Sequence, residues 1–501
     1  MKNKNSILPQ FLILCACSSF AETPPKEEDY YRLITIPAPP GVVMEAGGLD
    51  WLDKEKTRLV ACTRRGEVWI IDNPYADPPA LAKPANEKDD ASKAIRYKRF
   101  LLGLNEPLGI HIEKEWMYMV QRGELTRVRD TDGDEIIDEV ETFNRGWGIS
   151  GNYHEFAFGP QVDLEGNFWI TLNRPFGGEP EGKAAWRGWA VKVDREGKLH
   201  PVCVGLRSPA GLGMNDAGDV FYTDNQGDWV AVCKLSHLKP GSFQGNPFGF
   251  RSCNLPNSPM KEPEGLKSGV LWGEAAKNMK EILAPACWFP YPQMGRSHGE
   301  AKFGMNDGKF GPFDKQFIVC DNTTGILIRV SLEKIGGEYQ GACYPFRRGL
   351  TQGSLRLAWG HDGSLFVGQT ARGWGSRHGL QRVVWTGKTP FEILEMKANP
   401  DGFNVSFTEE LDPATAGRID SYQMKCWTYH HHQKYGDKPT NQKALQVVSA
   451  TIGEDKRSVR LVIDGLEPYY VHELKLTALR SADGKQLLHK EAYYTLNRIP
   501  E

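Results

Sequence analysis

A loose repeat through the first four-fifths of the chain limits what it can become. Each copy has an apolar approach, a Gly- or Asp-centred turn, an aromatic strand, a second turn, and a strand ending in Val or Ile. Gly48-Leu49-Asp50-Trp51 to Val68-Trp69-Ile70-Ile71 is one copy, and Pro107-Leu108-Gly109-Ile110 to Leu125-Thr126-Arg127-Val128 the next. Glu155-Phe156-Ala157-Phe158 through Phe168-Trp169-Ile170 to Trp189-Ala190-Val191-Lys192-Val193 is a third, and Pro209-Ala210-Gly211-Leu212 to Asp219-Val220-Phe221-Tyr222 a fourth. Phe317-Ile318-Val319 to Ile328-Arg329-Val330 and Leu355-Arg356-Leu357-Ala358 to Val383-Val384-Trp385 complete six. A short twisted antiparallel sheet cannot bury both faces alone, so such units stack around an axis as blades. The pattern predicts an all-β, six-bladed β-propeller over residues 46–387. Unrelated β-meanders of a sandwich are the alternative.

At 501 residues the chain is too long for one compact core. After Trp385-Thr386-Gly387-Lys388-Thr389-Pro390 the pattern changes to plain alternation, as in Phe403-Asn404-Val405-Ser406-Phe407 and Val459-Arg460-Leu461-Val462-Ile463. Residues 390–501 read as a fibronectin- or immunoglobulin-like β-sandwich. A Pro- and Gly-rich insertion at 241–311 is expected on the propeller's functional face.

Lys2 and Lys4, the apolar run from Ile7 to Cys17, and Ser19-Phe20-Ala21 form a signal peptide, residues 1–21, cleaved after Ala21. Acylation at Cys17 is the less favoured reading. The expected destination is the periplasm or the exterior, and no later stretch is long enough to span a bilayer. A formal net charge of -2 points away from nucleic acid. Eight further Cys (Cys62, Cys203, Cys233, Cys253, Cys287, Cys320, Cys343, Cys426) show neither metal spacing nor a haem site. Small buried core residues are the simplest account of them, although export permits disulfides.

Asp130-Thr131-Asp132-Gly133-Asp134-Glu135-Ile136-Ile137-Asp138-Glu139-Val140-Glu141 resembles a calcium loop. Asp130, Asp132, Asp134, Asp138 and Glu141 are the candidate ligands, because a hard cation needs oxygen donors at such spacing. Glu135 stands where the loop's sharp turn ordinarily has Gly. His430-His431-His432 cannot converge on one ion from a strand, so a polar surface patch is expected. Trp147, Trp186, Trp189, Trp229, Trp288 and Trp374 fall near turns, where they either stack on sugar rings at a mouth or pack between blades.

Three segments resemble the secreted glucose/sorbosone dehydrogenase family of bacteria. They are Gly151-Asn152-Tyr153-His154-Glu155-Phe156-Ala157-Phe158-Gly159-Pro160, Gly205-Leu206-Arg207-Ser208-Pro209-Ala210-Gly211-Leu212, and Asp224-Asn225-Gln226-Gly227 through Gly245-Asn246-Pro247. The resemblance covers residues 46–385. It implies pyrroloquinoline quinone (PQQ) and calcium over the propeller axis, with a sugar as substrate and a separate electron acceptor protein. It also implies His154 as the base that takes the sugar's hydroxyl proton, since a neutral imidazole suits that task. Arg207 is implied as the cation beside it, and Arg207, Gln226, Gly227, Asp228 and Arg356 as cofactor contacts. The chain departs from the family where Ser208 replaces an Asn and Thr323 stands in place of a Lys. Two functions follow: an exported quinoprotein-like oxidoreductase acting on an aldose- or sorbosone-type sugar, or a carbohydrate- or protein-binding propeller that has lost the cofactor. A lactonase-like hydrolase would need a Glu, Asn and Asp calcium set at the channel, and none is assembled.

Overall fold

The computed structural model describes residues 24–82, 93–177, 184–370 and 377–501. The leader, its cleavage point and Trp374 lie outside them. Almost all regular structure is β. Five four-stranded antiparallel sheets stand as separate blades. Their innermost strands are Ala46–Trp51, Ile110–Glu113, Ala157–Val162, Pro209–Met214 and Ser354–Trp359. The expectation of six separate blades is corrected to five. The remaining repeat unit, His298–Phe303 to Glu338–Arg347, takes its place in the ring between the fourth blade and the last. It belongs, however, to an eleven-stranded sheet.

That sheet is continuous because Ala342 pairs with Tyr494 and Cys343 with Tyr493, joining the unit's outer strand to Glu491–Leu496. The strands beyond Pro390 therefore do not form a sheet of their own. They bury a core that includes Phe403, Val405, Leu461, Leu474 and Tyr494. In Gly402–Phe407 and Ser458–Asp464 buried residues alternate with more accessible ones, as the sequence pattern requires.

The ring is closed by a strand that the repeat did not contain. Tyr31–Ile36 pairs along its length with Gly379–Trp385 as the outer strand of the last blade, which extends the propeller sheet before Ala46. Next to it, His489 donates to Glu27 at 2.8 Å and lies 2.5 Å from Glu392. Burial alone would lower its pKa, but Glu392 and Glu27 outweigh burial and push it up to about 9.

The inner strands approach closely because glycine stands where they cross. A Cβ on Gly109 would lie 1.4 Å from the carbonyl oxygen of Gly159, and one on Gly211 2.1 Å from that of Gly299. The last inner strand instead carries Arg356, and its guanidinium fills the axis. It donates to the carbonyls of Gly47 (2.6 Å), Ala210 (2.8 Å), Leu108 (2.9 Å) and Leu355 (3.0 Å), tying the first, second and fourth blades to its own. With Leu108, Phe156, Phe158, Ala210 and Leu355 it forms a septum across the channel. The expectation that Arg356 contacts a cofactor is therefore corrected, because its donors are spent on buried backbone.

The eight described cysteines are all buried and none is disulfide-bonded. Trp147, Trp186, Trp189 and Trp288 are buried in the main core, which corrects the rim-stacking option for those four. The insertion is shorter than expected, because Cys287–Trp288 and His298–Phe303 are strands of the ring. It carries the helix Trp272–Asn278, and its strand Val270–Leu271 pairs with His430–His431. Among the described residues, no helix is long and apolar enough to cross a membrane.

Candidate functional site

One mouth of the channel is built from the residues that precede the inner strands and those that follow the second strands. Backbone bonds hold the two sets together: Asn173 N–H to Phe156 O (3.0 Å), Asn322 N–H to Ser297 O (2.7 Å) and Thr370 N–H to Gly353 O (2.8 Å). Asp224 fixes Arg207 and Ser208 by accepting both backbone N–H groups, at 3.0 and 2.7 Å. Asp321 does the same for Arg296 and Ser297 in the next unit. In these two units a carboxylate at the end of the second strand positions the inner strand's entry.

His154 and Arg207 come together here against one ring. The His154 imidazole meets Phe176 edge-on with centroids 5.1 Å apart, and the Arg207 guanidinium carbon lies 4.4 Å from the same ring centre. Asn152 organises this corner. Its Oδ1 accepts the His154 N–H at 2.9 Å, and its Nδ2 donates to Phe176 O at 3.2 Å. Arg122 clamps the loop by donating to Asn152 O and Tyr153 O. The sequence reading missed Asn152, Arg174 and Phe176. The available signal was the polar-aromatic run Asn173-Arg174-Pro175-Phe176 directly after a strand.

The expected cofactor contacts are occupied by the chain itself. Asp228 is flanked by two guanidiniums, with Arg207 Nε at 2.8 Å and Arg174 Nη2 at 2.6 Å from both of its oxygens. Burial would raise its pKa, but Arg207 and Arg174 outweigh burial and hold it below the usual carboxylate range. The Arg207 guanidinium lies flat on Gly227, where a Cβ would be 1.8 Å from the guanidinium carbon. Gln226 Nε2 donates to Ala231 O. Thr323 is tied by its N–H to Asp321.

A loop from the C-terminal region also lies over this corner. Trp229 N–H donates to His432 O (2.8 Å), Gly436 N–H donates to Gly227 O (2.9 Å), and the Arg207 guanidinium carbon is 5.4 Å from the Tyr435 ring centre. His431 is buried with Nε2 2.7 Å from Gly245 O, while His430 and His432 flank Asp437 at 3.1 and 3.6 Å. The expectation of a polar surface patch is corrected on this account: the run docks the loop onto the propeller.

A tricarboxylate quinone needs several uncommitted cations. Arg356 is in the septum, Arg174 and Arg207 share Asp228, and no lysine stands at Thr323. The residues present do not fit PQQ in the way the resemblance implied. What the mouth does offer is buried hydrogen-bonding capacity. Asn173 Oδ1, Asn322 Nδ2, Gln369 Oε1 and Thr370 Oγ1 are buried without a partner. Native proteins leave few such atoms orphaned, and functional sites are where they persist.

In the acidic loop, carboxylate oxygens of Asp130, Asp132 and Asp138 lie within 4.8 Å of one another. Asp134 Oδ1 accepts the Ile136 N–H instead. Glu141 is on the strand Glu139–Asn144 and pairs with Arg127 at 2.7 Å, so its assignment as a ligand is corrected. Glu135 takes the left-handed backbone conformation itself (φ 62°), anchored by Arg58 and Lys98.

The profile of a domain family of unknown function, DUF7133, matches residues 86–247. No curated protein matches the chain. Solved structures similar to it include an oxidoreductase (glucose dehydrogenase) from Thermus thermophilus, at 14% identity and TM-score 0.47, covering 71% of this chain and 100% of that one. A PQQ-bound aldose sugar dehydrogenase from Streptomyces coelicolor is 12% identical with TM-score 0.48, covering 72% of this chain and 99% of its own. The PQQ domain of pyranose dehydrogenase from Coprinopsis cinerea is 12% identical with TM-score 0.46, covering 71% and 95%.

Proposed function

We propose that the His154 mouth binds a sugar or a small molecule derived from a polysaccharide, in a protein with a sugar-oxidoreductase-like fold. The observation that carries this reading is the set of orphaned buried atoms at Asn173, Asn322, Gln369 and Thr370, which lie at the ends of second strands, on the same end of the ring as His154. Two acceptors, one donor and a hydroxyl match a polyol, whose every hydroxyl both donates and accepts. Calorimetric titration with aldoses and alditols tests it. Asn173→Ala and His154→Ala are each expected to weaken binding about tenfold, the usual worth of one good hydrogen bond. Binding that ignores both substitutions would overturn the reading.

The oxidoreductase reading is favoured by one arrangement, an imidazole and a guanidinium sharing the Phe176 ring. In it His154 accepts a hydroxyl proton and Arg207 steadies the negative charge left on oxygen. The competing assignment is a non-catalytic carbohydrate- or protein-binding propeller, which the committed Asp228 pairs favour. Adding PQQ and calcium to the purified protein and recording bound-quinone absorbance separates them. A protein-bound quinone spectrum supports the dehydrogenase, and a spectrum identical to free PQQ supports the binding module.

Residues 1–21 serve as an export leader for a periplasmic or secreted protein. Residues 46–387 form the propeller unit, and 390–501 an immunoglobulin-like sandwich that shares its sheet. Calcium is held by Asp130, Asp132 and Asp138, with Asp134 adjacent. An ion bound only by the folded state stabilises it, so chelation is expected to lower the melting temperature, and Asp132→Asn to remove that difference. A melt unchanged by chelator would reduce the loop to a plain acidic turn.

A further inference from the structure

The septum divides the axis into two ends, and the second end has a cavity of its own. It encloses about 270 Å³ between the far ends of the inner strands, with Arg356 and Leu108 among the residues that line it. Besides Arg356, four ionisable side chains line it: Asp50, His111, Glu300 and Lys302. Backbone holds both carboxylates in place. Asp50 Oδ1 accepts the Trp51 N–H at 2.9 Å and Oδ2 the Ile112 N–H at 2.7 Å, while Glu300 Oε2 accepts the Leu357 N–H at 2.9 Å. Each carboxylate also has a cationic or imidazole neighbour. His111 Nδ1 is 3.5 Å from Asp50, and Lys302 Nζ is 3.4 Å from Glu300.

The lining mixes both signs, with Asp50 and Glu300 facing Lys302 and Arg356, and burial raises the pKa of Asp50. Burial outweighs Asp50 and Glu113 in lowering the pKa of His111, so the imidazole is neutral at ordinary pH. A lining of mixed sign offers no net attraction to offset the desolvation of a strongly charged ligand. It suits a neutral one that both gives and takes hydrogen bonds. A metal ion is disfavoured, because among the described residues only the Asp130 loop brings three ligand atoms close enough together. A cavity of about 270 Å³ is large enough to admit one six-carbon polyol.

We propose that this cavity is a second binding site, for one uncharged polyol of monosaccharide size, separated from the His154 mouth by the Arg356 septum. Paired carboxylate oxygens take vicinal hydroxyl protons, and His111 and Lys302 donate to the hydroxyl oxygens. The site does not depend on what the first mouth binds.

The test uses the full chain carrying Asn173→Ala and His154→Ala, which disables the first mouth. Titration with glucose and with sorbitol is expected to show one remaining equivalent of binding. Adding His111→Ala should weaken that binding at least about tenfold. Lys302→Trp should abolish it by filling the cavity from its partly exposed rim without removing an anchored carboxylate. No binding of either polyol in the first background would overturn the proposal, as would binding indifferent to both added substitutions. Failure of the first mouth's reading leaves this outcome untouched, since the two sites share no side chain in the test.

Discussion

Arg356→Met is expected to lower folding stability by roughly 3–5 kcal/mol, the range for breaking a buried charged hydrogen-bond network. The methionine keeps the side chain's length and apolar stem. What it removes is the fork that reaches Gly47, Leu108, Ala210 and Leu355 at once. Losing the fork leaves those backbone carbonyls without their side-chain donor in the interior of the ring. Burial already lowers the pKa of this guanidinium, yet its hydrogen bonds keep it in place. Lysine carries the charge without the planar fork, so Arg356→Lys is expected to recover only a minor part of the loss. Thermal and denaturant melts read the effect directly. A methionine variant as stable as the parent would show that the blades, not the arginine, close the axis.

Stability is also expected to fall as pH rises from 6.5 to 9, because of His489. Its pKa is 6.5 in the reference state and about 9 when folded between Glu392 and Glu27. A raised folded pKa contributes fully below the unfolded value. The contribution then declines and is gone once pH exceeds the folded value. The difference corresponds to about 3 kcal/mol. The side chain is only 11% exposed, so solvent screening removes little of it. Melting temperatures at about pH 6 and about pH 10 should differ accordingly, and His489→Gln should flatten the profile within this window. If the variant keeps the parent's full slope, His489 is not its source. Because Glu27 precedes the ring-closing strand and Glu392 follows the last blade, the titration would loosen the closure before the blades.

The blades were legible because each strand's alternation and each turn's Gly or Asp are local signals. Tyr31–Ile36 was not, because a six-residue strand says nothing about a partner more than three hundred residues away. Merging of the fifth repeat unit into the larger sheet was hidden for the same reason, since an edge's partner is chosen by tertiary packing. At the site, His154 and Arg207 were found from motifs, and the structure places them against one ring. Arg356 was misassigned because an arginine at the head of a strand looks the same in sequence whether it faces the mouth or the axis. Asp228 was read as a cofactor contact, when its acid group is the counter-ion of Arg174 and Arg207. Glu141 was misplaced by counting positions in a loop whose last ligand position falls on a strand paired with Arg127.

The joint between Glu338–Arg347 and Glu491–Leu496 also bears on how the molecule avoids self-association. A ten-residue outer strand with its middle unpaired is a ready template for a neighbouring copy. Residues 341–343 carry no charge, and the strand's proline and charges, Pro345, Glu338 and Arg347, lie outside this stretch. Tyr493, Tyr494 and Thr495 cover them from within the chain. The C-terminal strands thus act as a gatekeeper for the propeller, converting an adhesive edge into an internal seam.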